Sequence, residues 1–499
     1  MTKPFYITTA IDYVNGNPHI GHAYEKTIAD IIARWNRLNK KQVFFLTGTD
    51  DNAQKNAQAA KEYGMPTLEF VNKNAKVFEK LCKEYSISND EFIRTTSQEH
   101  IKKSQEIVSE VYKKELIYKG NYEGIYCEGC EAFITEKELI KGKCAEHNKI
   151  PKNIKEEAYF FKISKYQKQI INWIKKEKPI IPEKRANEIL FRLENEELKD
   201  LCISRPNTDW GIDLPFDKKF KIYVWFDALI NYLTGSGKKE VYWPADVQAI
   251  GKGILWFHAV IWPAIILATN RELPKKIWVH GYFTVNGEKM SKSLGNVINP
   301  LDLIHKYPRD SIRYFLVREN SFENDGDFSE EKLKTRHNDE LANKLGNLVS
   351  RVSALAEKYG TEKTDNKIKS EKIIQSIEKN IESFHLDKAL NDIFNYVDKV
   401  NEFVQESKPW EVRSPQREAS QQSEEAHSKS ESNSRRILYE AVFAIKNISI
   451  LLSPFMPNTS EKIAKTFNFL IDIKELNKPL KEAKPGSIKK SEILFQKIQ

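Results

Sequence analysis

Cysteine is scarce: five in 499 residues, at Cys82, Cys127, Cys130, Cys144 and Cys202. Three are clustered and two scattered, which excludes a disulfide framework and suits a metal site in a reducing compartment. Long apolar runs are missing too. The longest, 259–268, is too short to cross a bilayer and contains Pro263. No secretory leader is expected, since Met1-Thr2-Lys3-Pro4 runs straight into a strand pattern. A cytoplasmic protein with no membrane partner is the expectation. No internal repeat occurs. Neither charge sign dominates: 79 Lys+Arg against 70 Asp+Glu give +9, which favours a polyanion partner only mildly. With 40% hydrophobic and 30% charged residues the chain reads as globular, and its length predicts roughly two to four domains.

The N-terminal part alternates. The segment 5–10 reads as a buried strand, broken by Asn15-Gly16-Asn17-Pro18. A helix opens near His22, with Ile28, Ile31, Ile32, Trp35 and Leu38 at helical spacing. A second buried strand, 43–46, ends at Thr47-Gly48-Thr49-Asp50, and a helix covers about 53–63. This β-α-β-α order predicts a parallel doubly wound sheet, whose ligands sit beyond the carboxyl ends of its strands. From 118 to 220 the rhythm is interrupted, which predicts an insertion. Alternation resumes at 222–225 and 248–251, and 277–279 reads as the last core strand. Beyond Ser329 the pattern is helical: Leu341, Leu345, Leu348, Val349 and Val352 share one face, and Leu390, Ile393, Phe394 and Val397 another. The stretch 414–434, rich in Ser, Gln, Glu, Lys and Arg, predicts a disordered insert.

Two motifs carry chemistry. In His19-Ile20-Gly21-His22 both imidazoles lie at a helix N-terminus, where backbone N–H groups and the helix dipole favour phosphate. Gly21 lets a nucleotide approach closely, and the imidazoles can donate to charge building on an α-phosphate. In Lys289-Met290-Ser291-Lys292-Ser293, Lys289 and Lys292 supply point charges for phosphate oxygens. Ser291, Ser293 and Gly295 keep that loop small, as a closing lid requires. One motif at each end of an α/β sheet makes a clamp for ATP. A third constellation, Cys127-x-x-Cys130 with Cys144-x-x-His147, offers three thiolates and an imidazole, a tetrahedral zinc shell. It lies in the insertion, away from the strand ends, so a structural role is expected. Asn347 and Arg351 stand at i and i+4 on one helical face, and Trp410 follows on a later segment.

With these motifs the chain resembles the class I aminoacyl-tRNA synthetases, and within them the methionyl-tRNA synthetase family. The resemblance rests also on Ile7-Thr8-Thr9-Ala10-Ile11-Asp12-Tyr13, Leu46-Thr47-Gly48-Thr49-Asp50, Tyr126-Cys127-Glu128-Gly129-Cys130-Glu131, Trp225-Phe226-Asp227-Ala228, His280-Gly281-Tyr282 and Asp325-Gly326-Asp327-Phe328-Ser329. It covers nearly the whole chain except 414–434. It implies a Rossmann-like catalytic domain split into 1–117 and 221–328, a connective insertion with a zinc knuckle at 118–220, and an α-helical anticodon-binding domain at 329–499. It implies adenylation of L-methionine by ATP with Mg²⁺, then transfer to tRNA(Met). His19, Gly21, His22, Lys289, Ser291 and Lys292 would hold ATP, with the two histidines and two lysines catalytic. Ala10, Ile11, Tyr13, Trp225, Tyr232, Phe257 and His258 would line the methionine slot, and Asp50 would hold the ammonium. Asn347, Arg351 and Trp410 would read the CAU anticodon. With no OB-like dimerisation domain apparent, a monomer is the expectation.

Two positions depart from the family. Where Glu-His-Gly usually follows the aspartate, this chain has Asp51-Asn52-Ala53; Asn52 can donate hydrogen bonds but cannot take up a proton. Where Gly-Lys-Asp is usual, it has Gly251-Lys252-Gly253, which removes the carboxylate that the resemblance assigns to the ATP ribose. These departures favour a catalytically silent tRNA-binding paralogue; intact His19, His22, Lys289 and Lys292 oppose it. Another class I synthetase would keep both phosphate motifs but would not explain Asn347, Arg351 and Trp410 together.

Overall fold

The computed structural model describes residues 3–127, 132–134, 139–145, 150–206, 208–290, 295–321, 323–365, 368, 370–412 and 421–498. Contacts divide the chain into two units: Met1–Ala29 with Lys41–Tyr282, and Asp30–Lys40 with Phe283–Gln499.

The first unit is built on a parallel sheet of seven strands. Its order is Ile180–Ile181, Ile277–His280, Val247–Gly251, Phe5–Thr9, Val43–Asp50 and Asp12–Tyr13, with Glu91–Arg94 also paired to Val43–Asp50. Val247–Gly251 and Ile277–His280 are buried along their whole length, as strands covered on both faces must be. The helix Ile20–Leu38 follows the first strand and buries Ile28, Ile31, Ile32 and Trp35. At Gly48 any side chain would run into the Ile93 carbonyl, so glycine lets the third sequential strand lie close against its neighbour Glu91–Arg94. The doubly wound parallel sheet is thus present.

The segment 118–220 is not the separate insertion expected. Ile117–Cys127 pairs antiparallel with Lys152–Phe161, flanked by Ala132–Ile134 and Leu201–Cys202. Yet Ile180–Ile181 joins the edge of the central sheet. The helices Gln167–Glu177 and Glu183–Asn195 send Ile170, Trp173, Ile174, Ile189 and Leu193 into the same apolar core as that sheet. Charged residues on their outer faces mask this in the sequence. A smaller difference concerns 222–225: the strand is Phe220–Ile222, and Trp225 belongs to the short helix Val224–Leu229.

The second unit also begins earlier than expected. Phe283–Val285, Glu288–Lys289 and Gly326–Phe328 form a three-stranded sheet of their own within it. The helical stretch buries Leu341, Leu345, Leu348, Val349 and Val352, and also Leu390, Ile393, Phe394 and Val397, as their spacing predicts. Arg313 is fully buried. Its guanidinium meets Asp30 Oδ2 at 2.8 Å and donates to the carbonyls of Pro454 and Phe455 at 2.9 Å.

The disorder expected at 414–434 is corrected for 421–434, which opens the 32-residue helix Gln421–Leu452. The apolar half of that helix is packed, so the nucleation cost is already met there. Gln421, Gln422, Glu424, Glu425, Ala426, Lys429 and Glu431 then extend it at little cost per residue despite the serines between them. Tertiary contacts help: Ser432 donates to Glu362 at 2.9 Å, Arg436 bonds the same carboxylate, and Ser434 donates to the Pro409 carbonyl. Residues 414–420 lie outside the described residues. Among those described, no helix is long and apolar enough to cross a membrane.

Candidate functional site

His19 caps the helix Ile20–Leu38: its carbonyl accepts from the backbone N–H of His22 at 3.0 Å. The two imidazoles stack, with ring centroids 3.6 Å apart and planes 17° from parallel. His22 Nδ1 accepts from the His19 backbone N–H at 3.0 Å, and His19 Nδ1 accepts from the Gly21 N–H at 3.2 Å. Accepting at Nδ1 leaves the proton of each neutral ring on Nε2, the nitrogen a phosphate oxygen would meet. A Cβ at residue 21 would stand 3.0 Å from the His19 ring, so Gly21 seats that imidazole as well as leaving room for a ligand.

Beneath the pair lies Asp12, whose carboxylate bonds the fully buried Lys26 and stands 3.8 Å from His22 Nε2. Burial pushes the His22 pKa well below the usual imidazole range, and the Lys26 charge adds to this. His22 is therefore a neutral donor at physiological pH.

Asp50 ends the strand Val43–Asp50, is nearly fully buried, and accepts from the Asn52 backbone N–H at 3.2 Å. Tyr13 is its register partner on the neighbouring strand. Tyr13 meets Trp225 edge to face at 6.3 Å, and Trp225 stacks on Phe257 at 3.6 Å. Ala10, Ile11 and Tyr232 belong to the adjoining apolar cluster, and Phe257 packs against both groups. The Tyr232 hydroxyl lies 2.7 Å from His258 Nε2, while His258 Nδ1 lies 2.9 Å from the Ile254 carbonyl. Nδ1 donates to that carbonyl, and a neutral ring then accepts from the phenol at Nε2. Burial agrees, pushing the His258 pKa down to about 4. Phe257 and His258 sit on the π-helical stretch Phe257–Ile261, a bulge that turns both side chains relative to a regular helix. The structure thus links Asp50, Tyr13, Trp225 and Phe257 through register and ring contacts and pairs Tyr232 with His258, while Ala10 and Ile11 share the adjoining apolar cluster. The Trp225 indole N–H is buried without a hydrogen-bond partner among the described residues.

A polar network not foreseen backs this wall. Asp227 receives the Asn52 side-chain amide at 2.8 Å, His100 Nε2 at 2.8 Å and the Ser104 hydroxyl at 2.9 Å. The same Asn52 amide donates to the Thr95 carbonyl at 3.1 Å. Asp51 is buried and held by Arg94, Thr49 and Thr96. In the sequence Asn52 stands out only as a departure from the family and Asp227 only as part of a motif string; His100 is a lone helical histidine with no sequence signal at all.

Of the lysine motif, Lys289 ends the strand Glu288–Lys289 in the second unit, and Ser291 and Lys292 lie outside the described residues. Of the expected zinc ligands, Cys130 and His147 also lie outside them. Cys127 and Cys144 are buried, on the strands Ile117–Cys127 and Lys143–Cys144. Among the described residues no group of three or more His, Cys, Asp or Glu is placed to hold a metal.

In the second unit Asn347 opens the helix Asn347–Tyr359 and is exposed. One turn on, the Arg351 guanidinium is 5.7 Å from the Trp410 ring centroid. Arg351 also donates to Gln405 at 3.1 Å and to Asn401 at 3.4 Å, both on the helix Leu386–Ser407. An exposed indole, a guanidinium over it and a neighbouring amide can stack and hydrogen-bond an unpaired base.

Known proteins resemble the chain along its whole length. The family described as "tRNA synthetases class I (M)" matches residues 5–152 and 136–353, and the "Anticodon-binding domain of tRNA ligase" matches 368–497. The methionine–tRNA ligase of Caldanaerobacter subterraneus subsp. tengcongensis is 40% identical over 524 residues, covering 100% of this chain and 79% of that protein. That of Thermotoga maritima is 40% identical over 527 residues, covering 99% and 80%. Among solved structures, Mycobacterium tuberculosis methionyl-tRNA synthetase in complex with methionyl-adenylate superposes with a TM-score of 0.91 at 33% identity, covering 99% of this chain and 100% of that one. With matches of this extent over both halves, the chain belongs to the methionyl-tRNA synthetase family of class I aminoacyl-tRNA synthetases.

Proposed function

We propose that the chain activates L-methionine with ATP and transfers it to the 3′-terminal adenosine of tRNA(Met), with the residues described above in the following roles. The observation that carries this reading is the stacked His19/His22 pair over Asp12, whose short strand Asp12–Tyr13 is in register with Thr49 and Asp50, with Trp225 and Phe257 following from Tyr13. Asp50 holds the substrate ammonium by a charge-assisted hydrogen bond. The thioether lies against Trp225, Phe257 and Tyr232, for which a polarizable, unbranched side chain suits.

In the first step a methionine carboxylate oxygen attacks the α-phosphorus. The bond from the α-phosphorus to the bridging oxygen breaks, and pyrophosphate leaves; Mg²⁺, when bound with ATP, would neutralise phosphate charge. His19 and His22 donate to the charge growing on the α-phosphate, while Lys289 and Lys292 neutralise the leaving pyrophosphate. In the second step the 2′-hydroxyl of the terminal adenosine attacks the mixed anhydride and AMP departs. Asn347, Arg351 and Trp410 read the anticodon. Cys127, Cys130, Cys144 and His147, three thiolates and an imidazole, would hold one structural zinc, and elemental analysis of the intact protein should find about one per chain.

The deciding experiment is ATP–pyrophosphate exchange with each proteinogenic amino acid in turn. Stimulation by methionine alone is expected. Stimulation by none of them would instead support a silent tRNA-binding paralogue.

A further inference from the structure

The missing carboxylate at residue 253 leaves a place that the structure fills from a neighbouring strand. Val247–Gly251 and Ile277–His280 run parallel, with Gly251 opposite His280. Two segments therefore leave the carboxyl ends of these strands side by side: the 3₁₀ turn Lys252–Ile254 and Gly281-Tyr282. The Tyr282 ring lies across both glycines. Its Cε1 is 3.6 Å from where a Cβ on Gly251 would stand, and its Cζ is 3.1 Å from the Cβ position of Gly253. The hydroxyl sits on that second position, well inside contact distance, so any side chain at 253 would evict it. The Lys252 ammonium lies 4.8 Å from the ring centroid and helps hold the ring in place. Gly253 is exposed and Tyr282 half-buried, so solvent reaches this corner of the strand ends.

The sheet itself says what passes over this spot. Phe5–Thr9 is flanked by Val43–Asp50 on one side and Val247–Gly251 on the other, and a doubly wound fold binds its ligand over that switch point. Phosphates belong at the helix start after the first strand, at His19 and Ile20. Toward Val43–Asp50 the edge is occupied by Asp50 and the aromatic wall. The nucleoside end is left the other side, over Gly251-Lys252-Gly253. A ribose presents vicinal hydroxyls that each need a partner, and a phenol can both donate and accept.

We infer that the Tyr282 hydroxyl, seated on Gly253, is the group that binds the ribose hydroxyls of ATP in this chain, in place of a carboxylate at 253. This rests on the ATP-dependent reading above.

The test compares wild type, Tyr282→Phe, Gly253→Ala and the double variant. Binding of ATP, 2′-deoxy-ATP and 3′-deoxy-ATP is measured by equilibrium dialysis, alongside KM values in pyrophosphate exchange. Wild type should prefer ATP over at least one deoxy analogue. Tyr282→Phe should weaken ATP about three- to tenfold, leave that analogue's affinity unmoved and so erase the preference, with the methionine KM unchanged. Gly253→Ala should do the same alone and add nothing in the Tyr282→Phe background. Unchanged ATP affinity in Tyr282→Phe, or an equal loss for ATP and both analogues, overturns the inference. Dialysis needs no turnover, so a wild-type chain that lacked methionine-dependent exchange would sink the activity reading separately.

Discussion

The side-chain amide of Asn52 donates to the Asp227 carboxylate at 2.8 Å, joining the loop after Asp50 to the helix that carries Trp225. The residue that departs from its family is thus a strut between the two walls of the proposed methionine site. Replacing it by the isosteric Leu strands a buried carboxylate oxygen and the Thr95 carbonyl. Asn52→Leu should lower unfolding free energy by about 1–3 kcal/mol and raise the methionine KM. Asn52→His, which keeps a donor, should do less of both. Urea unfolding and exchange kinetics on the two variants check this, and equal damage from Leu and His would count against the strut.

His258 makes the fold sensitive to acid. Its folded pKa, about 4, lies below the ordinary 6.5, so between these values the unfolded chain binds the extra proton. Its contribution is complete above pH 6.5 and is lost as pH falls toward 4, a loss on the order of 3 kcal/mol. The pKa of His22 is also lowered, so the slope must be isolated by difference. Urea midpoints at stepped pH should fall less steeply for His258→Gln than for the parent chain.

Removing one phosphate donor should cost rate, not affinity for the amino acid. For His22→Ala, kcat in pyrophosphate exchange should drop about 10²–10³-fold, while the methionine KM stays near the wild-type value. A raised methionine KM with intact kcat would relocate His22 from the phosphate to the amino-acid side.

The Arg351–Trp410 pair should matter only for RNA. Trp410→Ala removes the stacking platform, and loss of one stacked base is worth about 1–3 kcal/mol. Charging of tRNA(Met) should fall while methionine-dependent exchange persists. Gln405→Leu frees one end of the Arg351 guanidinium and should produce a milder form of the same split. Parallel loss of both activities would remove the pair from the anticodon.

What the sequence made legible were features with short-range grammar. The His19 cap, the buried strands on either side of it and the heptad-like faces of the bundle follow from local spacing. What it hid depended on distant partners. Residues 421–434 lack apolar content and still form helix, because Ser432, Ser434 and Arg436 find Glu362 and the Pro409 carbonyl. Asp227 could be quoted as part of a motif, but its bonds to His100 and Asn52 span 127 and 175 positions and have no local trace. Gly253 looked like a simple loss; only the packing of Tyr282 against it gives the deletion of a side chain a purpose.

Because Ile180–Ile181 is an outer rung of the main sheet, the stretch between 118 and 220 cannot be excised or swapped as a cassette. Cutting at the borders that composition suggests would strip Ile277–His280 of its neighbour and open a hydrophobic seam to solvent. A viable chimaera must exchange the distal hairpin alone and keep the residues from Ile163 to Asn195 with their host.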